Sequence, residues 1–427
     1  MSVEGATVVV VGAGYPGKRR IYERMASFGA QLVIVDEPGH WSKQLVDDGV
    51  AAEWLPVPVT GDPDADAPAV VGALAAAQVR PDGVLTFWEE CPPIAARVAA
   101  ALGLPGNPVA AVDAARSKLR TREASEAAGL PTPRAQRVQS VDELYAAAAD
   151  IRFPAVVKPE FGHSQVGCIR VDELESLPEI YWLVRKELGS TRVVNLHSRT
   201  DLLFEEYLDG VEFDIDLVLE DGECVFSSVS QQLPTHEPSF QETGLHCPHD
   251  HDAKAVRRLV ELSVQTVQTF GFVRGVLHVE GKCTSKGPRI VEVNARMGGG
   301  RIHQIVEAVW GVDLIEAHLR AALGLRQQLT PSRKPRCAVM NVLVYAPATG
   351  RLEALPLAEV TPEADPGLLI DRAAKIGQEV DGPDRIFSTV LADVYVGAKN
   401  VRRGRSLIAE VLRDPPVVTP RHLRLRA

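Results

Sequence analysis

Arg289-Ile-Val-Glu-Val-Asn-Ala-Arg-Met-Gly-Gly-Gly-Arg301 is the stretch on which the reading of this chain turns. Glu292 and Asn294 alternate with Ile290, Val291, Val293 and Ala295, so on a strand both point to one face. Arg296 follows on that face, and then a triple glycine. A carboxylate, an amide and a guanidinium above a glycine loop suit a metal–phosphate site, because Mg²⁺ is held through one or two carboxylates plus substrate phosphates. Twelve residues upstream, Val276-Leu-His-Val-Glu280 reads as a neighbouring strand with His278 and Glu280 on one face. Adjacent strands would bring Glu280 and Glu292 together. Two surface strands with solvated glutamates are the plainer alternative, but these acids lie inside apolar runs, where an unpaired charge is costly.

The 427 residues allow two or three domains with large cores. Hydrophobic residues make up 45% and charged residues 24%, as in ordinary globular proteins. A formal charge of −10 argues against nucleic-acid binding by bulk electrostatics, so no nucleic-acid partner is expected. The six cysteines are scattered without a CxxC pair, which fits reduced thiols in a cytoplasmic protein. His246-Cys-Pro-His249-Asp-His251 raises a zinc question, although its spacing matches no standard zinc motif. The N-terminus shows no signal-peptide pattern, and the absence of an 18-residue apolar run predicts no membrane span.

From the start, Thr7-Val-Val-Val-Val11, the glycines of Gly12-Ala-Gly14-Tyr-Pro-Gly17 and Gln31–Asp36 spell strand, GxGxxG, helix, strand and terminal acid. That is formally the dinucleotide-binding fingerprint, though Pro16 and Lys18-Arg-Arg20 are unusual beside a pyrophosphate. Strand 83–87 lies between helices over 69–78 and 92–102, and the alternation implies a Rossmann-like parallel sheet. Phe153-Pro-Ala-Val-Val-Lys158-Pro159 reads as a strand ending in lysine, before the loop Glu160-Phe-Gly-His-Ser164-Gln-Val-Gly167. Backbone amides there can face phosphate oxygens while Lys158 supplies a point charge; a hairpin with a solvated lysine is the alternative. Leu202-Leu-Phe-Glu205-Glu206-Tyr-Leu208 leads to Val211-Glu212-Phe-Asp214, where an adenine edge could meet the Glu206 and Leu208 backbone and Glu212 could reach ribose; an exposed hairpin with a polar face would show the same alternation. Residues 241–249 read as a loop, 253–270 and 302–323 as helices, and the chain beyond Pro331 as a small β-rich module.

Taken in order, Lys118, Val157-Lys158-Pro159, the glycine-serine loop, Glu205–Leu208 with Glu212, His278/Glu280 and Glu292–Arg296 resemble the ATP-grasp superfamily of carboxylate–amine ligases. The resemblance implies an α/β protein with the ATP-grasp fold. A Rossmann-like pre-domain would span 1–110, a lid-like subdomain 111–200, a central subdomain with the Mg-ATP and substrate site 201–330, and a C-terminal β-rich module 331–427. It implies ATP contacts at Lys118, Lys158, Ser164, Glu205, Glu206, Leu208 and Glu212. Mg²⁺, or Mn²⁺ in its place, would be held by Glu280, Glu292 and Asn294, and Arg296 would steady the transferred phosphate and the tetrahedral oxyanion. The implied reaction activates a carboxylate as an acyl phosphate, forms an amide with an amine and releases ADP and phosphate. Such relatives act on small molecules and are often homodimers.

Within the superfamily the chain looks most like bacterial L-amino-acid ligases, a group that also resembles carnosine synthase. By that analogy Glu242 contacts a substrate amino group, and His246, His278, Arg296 and Gly299 line the substrate site. Ligases of this type usually carry histidine directly after Glu-Thr-Gly, whereas this chain has Leu245 there and His246 one position later. Either His246 serves after a shift or the amino-acid pocket differs. The alternatives are an ATP-grasp ligase on another carboxylate or amine in specialised metabolism, a nicotinamide-dependent oxidoreductase built on Gly12-x-Gly14-x-x-Gly17, and a catalytically silent ATP-binding protein.

Overall fold

The β-branched run Thr7–Val11 is one of the two interior strands of a parallel four-stranded sheet, ordered 53–56, 31–36, 7–11, 83–85. The computed structural model describes residues 2–162, 165–189 and 201–420. A proline at its first position starts the alanine-rich helix Pro92–Leu102. The helix before strand 83–85 runs Pro63–Ala76, starting earlier than the expected 69, because Asp62 caps it by accepting from the Asp64 amide. One face of this sheet has no core of its own. Val8, Val10 and Leu32 pack in one apolar cluster with Ile305 and Leu319, from helices Ile302–Trp310 and Leu314–Ala322. Each such buried aliphatic side chain contributes ~1.5–3 kcal/mol. The N-terminal unit is therefore welded to the late helices. A single helix was expected over 302–323; Gly311 and the Asp313 cap, which accepts from the Ile315 and Glu316 amides, divide it in two.

A small antiparallel sheet, ordered 135–138, 202–206, 155–159, 169–171, carries Lys158 and Glu205. The expected boundary at 200 thus falls just before one of its inner strands. The large sheet has eight antiparallel strands in the order 287–294, 275–284, 211–220, 223–232, 244–247, 338–345, 390–398, 368–372. Strands beyond residue 331 continue this sheet edge to edge, so the C-terminal β-rich module is joined to the central subdomain by backbone pairing.

The joint is Gly244–Cys247, which was expected as loop and is a buried strand between 223–232 and 338–345. Gly244 has φ +134°, and a Cβ there would meet the Asn341 carbonyl oxygen at 2.2 Å. Only glycine permits that backbone approach.

Candidate active site

Antiparallel register puts Glu280 opposite Glu292 and His278 opposite Asn294; on its other side, Glu280 pairs with Asp214 and His278 with Asp216. Three carboxylates, Glu292, Glu280 and Asp214, therefore stand in a row across three strands. Burial, then the Glu292 charge, pushes the Glu280 carboxyl well above its ordinary value. Burial likewise lifts Asp214 to about 7, against the pull of His278. Burial would lower the His278 imidazole, but Asp216, 2.9 Å from Nδ1, lifts it to about 9. Like charges facing one another in low dielectric call for a cation or a proton between them.

Asn294 lies between two acids. With its nitrogen donating to both Glu89 oxygens (3.1 and 3.3 Å), it turns its amide oxygen to the Glu280 side. Glu280, Glu292 and Asn294 then offer hard oxygen donors at one place, which fits Mg²⁺ completed by substrate phosphates. Among the described residues no group of three or more His, Cys, Asp or Glu is arranged to hold a metal. The fit therefore rests on two carboxylates and an amide.

Lys118 and Lys158 reach the same cleft from different elements. Ser117 caps the helix Lys118–Ala127, and the buried Lys118 Nζ donates to Glu292 Oε1 (3.1 Å) and lies 3.4 Å from the Gly162 carbonyl oxygen. Lys158 is paired with Glu205, whose carboxylate also takes Arg122 Nε at 3.0 Å. Burial alone would raise Glu205; Arg122 and Lys158 hold it down at about 2. Glu205 is thus the anchor of Lys158, and the sequence reading missed Arg122, its other partner. Ser164 lies outside the described residues.

The segment Glu206-Tyr207-Leu208 joins the small sheet to the large one and borders this cleft together with Val156, Phe240 and Glu212. Lys282 donates to the Leu208 carbonyl (3.3 Å) and lies 3.4 Å from Glu212. Glu206 meets Lys286 at the rim, and its own amide donates to the Arg134 carbonyl oxygen. Apolar side chains of Val156, Leu208 and Phe240 beside main-chain polar groups and the Glu212 carboxylate suit a nucleoside.

A second cavity adjoins the first. Gln165, Gln232, Glu242, Glu280 and Arg296 line both. Gln165 Nε2 donates to Glu242 Oε1 at 2.6 Å, and burial raises the Glu242 carboxyl. Arg296 is paired with Glu89, which follows the N-terminal strand 83–85, and its Nη1 donates to the Met297 carbonyl. Glu89 was not singled out from sequence. Its signal was an acid pair, Glu89-Glu90, beyond the carboxyl end of a parallel strand, where ligands of α/β sheets gather. Gly299, Tyr395 and Asp393 complete the far side of this cavity.

His246 is the expectation that the geometry corrects. Alternation along strand 244–247 turns Leu245 into the cavity and His246 to the opposite face, fully buried. The His246 Nδ1 lies 2.9 Å from the Pro248 carbonyl oxygen, and Nε2 lies 3.3 Å from Arg405. A one-residue shift would reverse every side chain of a strand paired on both sides. His249 and His251 instead lie against Phe213, edge-on and tilted, at 6.2 and 5.5 Å between ring centroids.

The N-terminal glycine loop is also occupied from within. A Cβ on Gly14 would meet the Trp88 ring at 2.6 Å, and Asp36, the acid of the fingerprint, accepts from the Ala13 amide at 2.7 Å. The Trp88 ring packs against the loop at Gly12 and Gly14. Among the described residues no helix is long and apolar enough to cross a membrane.

The ATP-grasp domain model matches residues 151–304, and the ATP-grasp N-terminal domain model matches residues 22–106. Carnosine synthase 1 of Gallus gallus is 32% identical over 362 residues, covering 82% of this chain and 38% of that protein. Alanine–anticapsin ligase of Bacillus subtilis (strain 168) is 25% identical over 229 residues, covering 50% of this chain and 48% of that protein. The chain therefore spans less than half the length of these curated relatives. The crystal structure of an L-amino acid ligase from Bacillus licheniformis superimposes with a TM-score of 0.79 at 21% identity, covering 98% of this chain and 100% of that one.

Proposed function

Taking as premise that the chain belongs to the ATP-grasp superfamily, we propose that it is an ATP-dependent carboxylate–amine ligase that joins amino acids and releases ADP and phosphate. One observation carries the reading: the cleft beside Glu206–Leu208 and the second cavity meet at Glu280 and Arg296. A phosphate arriving from one side and a carboxylate from the other would be handled by the same residues.

In this reading Lys118 and Lys158 bind the ATP phosphates, and the Glu206–Leu208 main chain and Glu212 hold adenosine. The carboxylate oxygen of the first substrate attacks the γ-phosphorus, ADP leaves, and the acyl phosphate remains. The amine nitrogen then attacks the carbonyl carbon, the C–O bond to phosphate breaks and phosphate departs. Arg296, held by Glu89, faces the negative charge that develops on the carbonyl oxygen, and Glu242 takes the amino group of the first substrate. Bound through Glu280, Glu292 and Asn294, Mg²⁺ would supply charge neutralisation to the phosphates. Glu205 serves by fixing Lys158, and His278 by fixing Asp216 and screening Asp214.

One observation favours a different acid in the same chemistry. Leu245 presents an apolar face where ligases of the L-amino-acid type carry histidine, so the first substrate differs in what lies beside its amino group. The test is ADP and phosphate release with Mg²⁺ across paired amino acids, with masses of the products. ADP together with a condensed mass for particular pairs supports the reading. ATP turnover without any condensed product overturns it.

A further inference from the structure

Lys18 is a buried cation of the second cavity, 7% exposed, and among the described residues its ammonium makes no hydrogen bond or ion pair. Its Nζ lies 5.5 Å from the centroid of the Tyr15 ring, and the one opposing charge it feels is the Glu89 carboxylate, which is already paired with Arg296. A cation–π contact is worth ~0.5–2 kcal/mol, less than the several kcal/mol that burying an unpaired ion costs. The other cations of that wall are taken. Arg296 is paired with Glu89, and Arg301 forks onto Asp371 with both bonds at 2.8 Å. Lys18 instead feels Arg296 as a like charge, and burial first, then Arg296, lowers it to about 8, which leaves it largely charged at neutral pH.

Its place separates it from the phosphate machinery. Lys18 lines the second cavity and is absent from the walls of the nucleotide cleft. Gly299 and Gly300, just before helix Ile302–Trp310, share that cavity and add main-chain donors. The remaining wall is acidic. Asp393 accepts from the Tyr395 hydroxyl at 2.7 Å and from Asn341, and Asp214 and Glu242 stand further round. A dianionic phosphate would be repelled there, whereas a zwitterion with one carboxylate is complementary to such a pair of walls.

We propose that Lys18 binds the α-carboxylate of the amine-donating substrate, so that the attacking amine is itself an amino acid and not ammonia or a simple amine. This rests on the ligase reading above, in which both substrates are amino acids, and adds the residue that selects the second one by its carboxylate.

The experiment compares amino acids with their C-terminal amides as amine donors, on the wild type, Lys18→Met and Lys18→Arg, with the acid substrate held constant. One charge-assisted hydrogen-bond pair of ~1.5–3 kcal/mol corresponds to about 10- to 100-fold. The wild type is expected to prefer the free acid over the amide by that factor. Lys18→Met should raise KM for the amino acid by the same factor, leave KM for the amide in place and bring the preference close to one. Lys18→Arg should keep part of it. A wild type that uses the amide as well as the acid overturns the assignment, even if Lys18→Met fails to fold. So does a Lys18→Met enzyme that keeps the wild-type preference. ADP titration on the same proteins separates the two readings. Wild type that binds no ADP removes the ligase reading itself, whereas bound ADP and formed product with an unchanged preference removes only the role of Lys18.

Discussion

Glu280 faces Glu292 directly across the hairpin of strands Gly275–Thr284 and Gly287–Asn294. Without a cation the pair is mutually repulsive, so Glu280→Gln is expected to make the protein about 1 kcal/mol more stable in chelator. The same change should abolish the stabilisation by Mg²⁺, which at 100 times its Kd would be about 2.7 kcal/mol in the wild type. Denaturant melts with and without Mg²⁺ read both effects. Turnover of Glu280→Gln and Glu292→Ala should fall by about a thousandfold or more.

Glu205 bridges Lys158 and Arg122 in a buried triad. Glu205→Ala leaves two buried cations without an anion and is expected to cost about 3–5 kcal/mol. A melt that moves by less than 1 kcal/mol would mean that water or the neighbouring loop replaces the carboxylate.

His303 and His318 are both held neutral, each lowered to about 4 by burial. The unfolded chain, near 6.5, takes up these protons first. Stability is therefore full above pH 6.5 and falls as pH drops toward 4, by about 2 kcal/mol for each histidine at pH 5. Urea midpoints at pH 7 and pH 5 measure the loss, and a flat profile would contradict the burial of both rings.

Leu245 and His246 sit on opposite faces of one strand. His246→Ala should lower stability by about 1–3 kcal/mol and leave the substrate range unchanged, since it removes a buried hydrogen-bonding ring away from the cavity. Leu245→His should change which amino acids are accepted and leave ADP affinity in place. A shift in selectivity with His246→Ala would show that the strand register is different in solution.

Much of the candidate site's layout was legible because it is local. Glu280 and Glu292 sit on two alternating strands joined by a two-residue turn, Ser285-Lys286, and a bulge between Glu280 and Gly281, which the pattern does not announce, sets the two acids opposite each other. The Rossmann-like alternation near the N-terminus and the lysine-ending strand 155–159 follow from periodicity alike. What stayed hidden depends on docking between distant segments. Arg296 meets Glu89 207 positions away, and Glu292 meets Lys118 174 positions away. Strand 244–247 is four residues long and includes His and Cys, so its local pattern cannot outweigh the surrounding turn residues. Only pairing on both sides makes it a strand, and that pairing decides between Leu245 and His246.

The central claim is that a carboxylate is activated by direct transfer of the γ-phosphoryl group. The most direct test labels both carboxylate oxygens of the acid substrate with ¹⁸O and follows one round of ligation with ATP and Mg²⁺. The acyl-phosphate route predicts one ¹⁸O in the released inorganic phosphate, ADP as the nucleotide product, and one ¹⁸O kept in the amide. Unlabelled phosphate, or AMP in place of ADP, would contradict it.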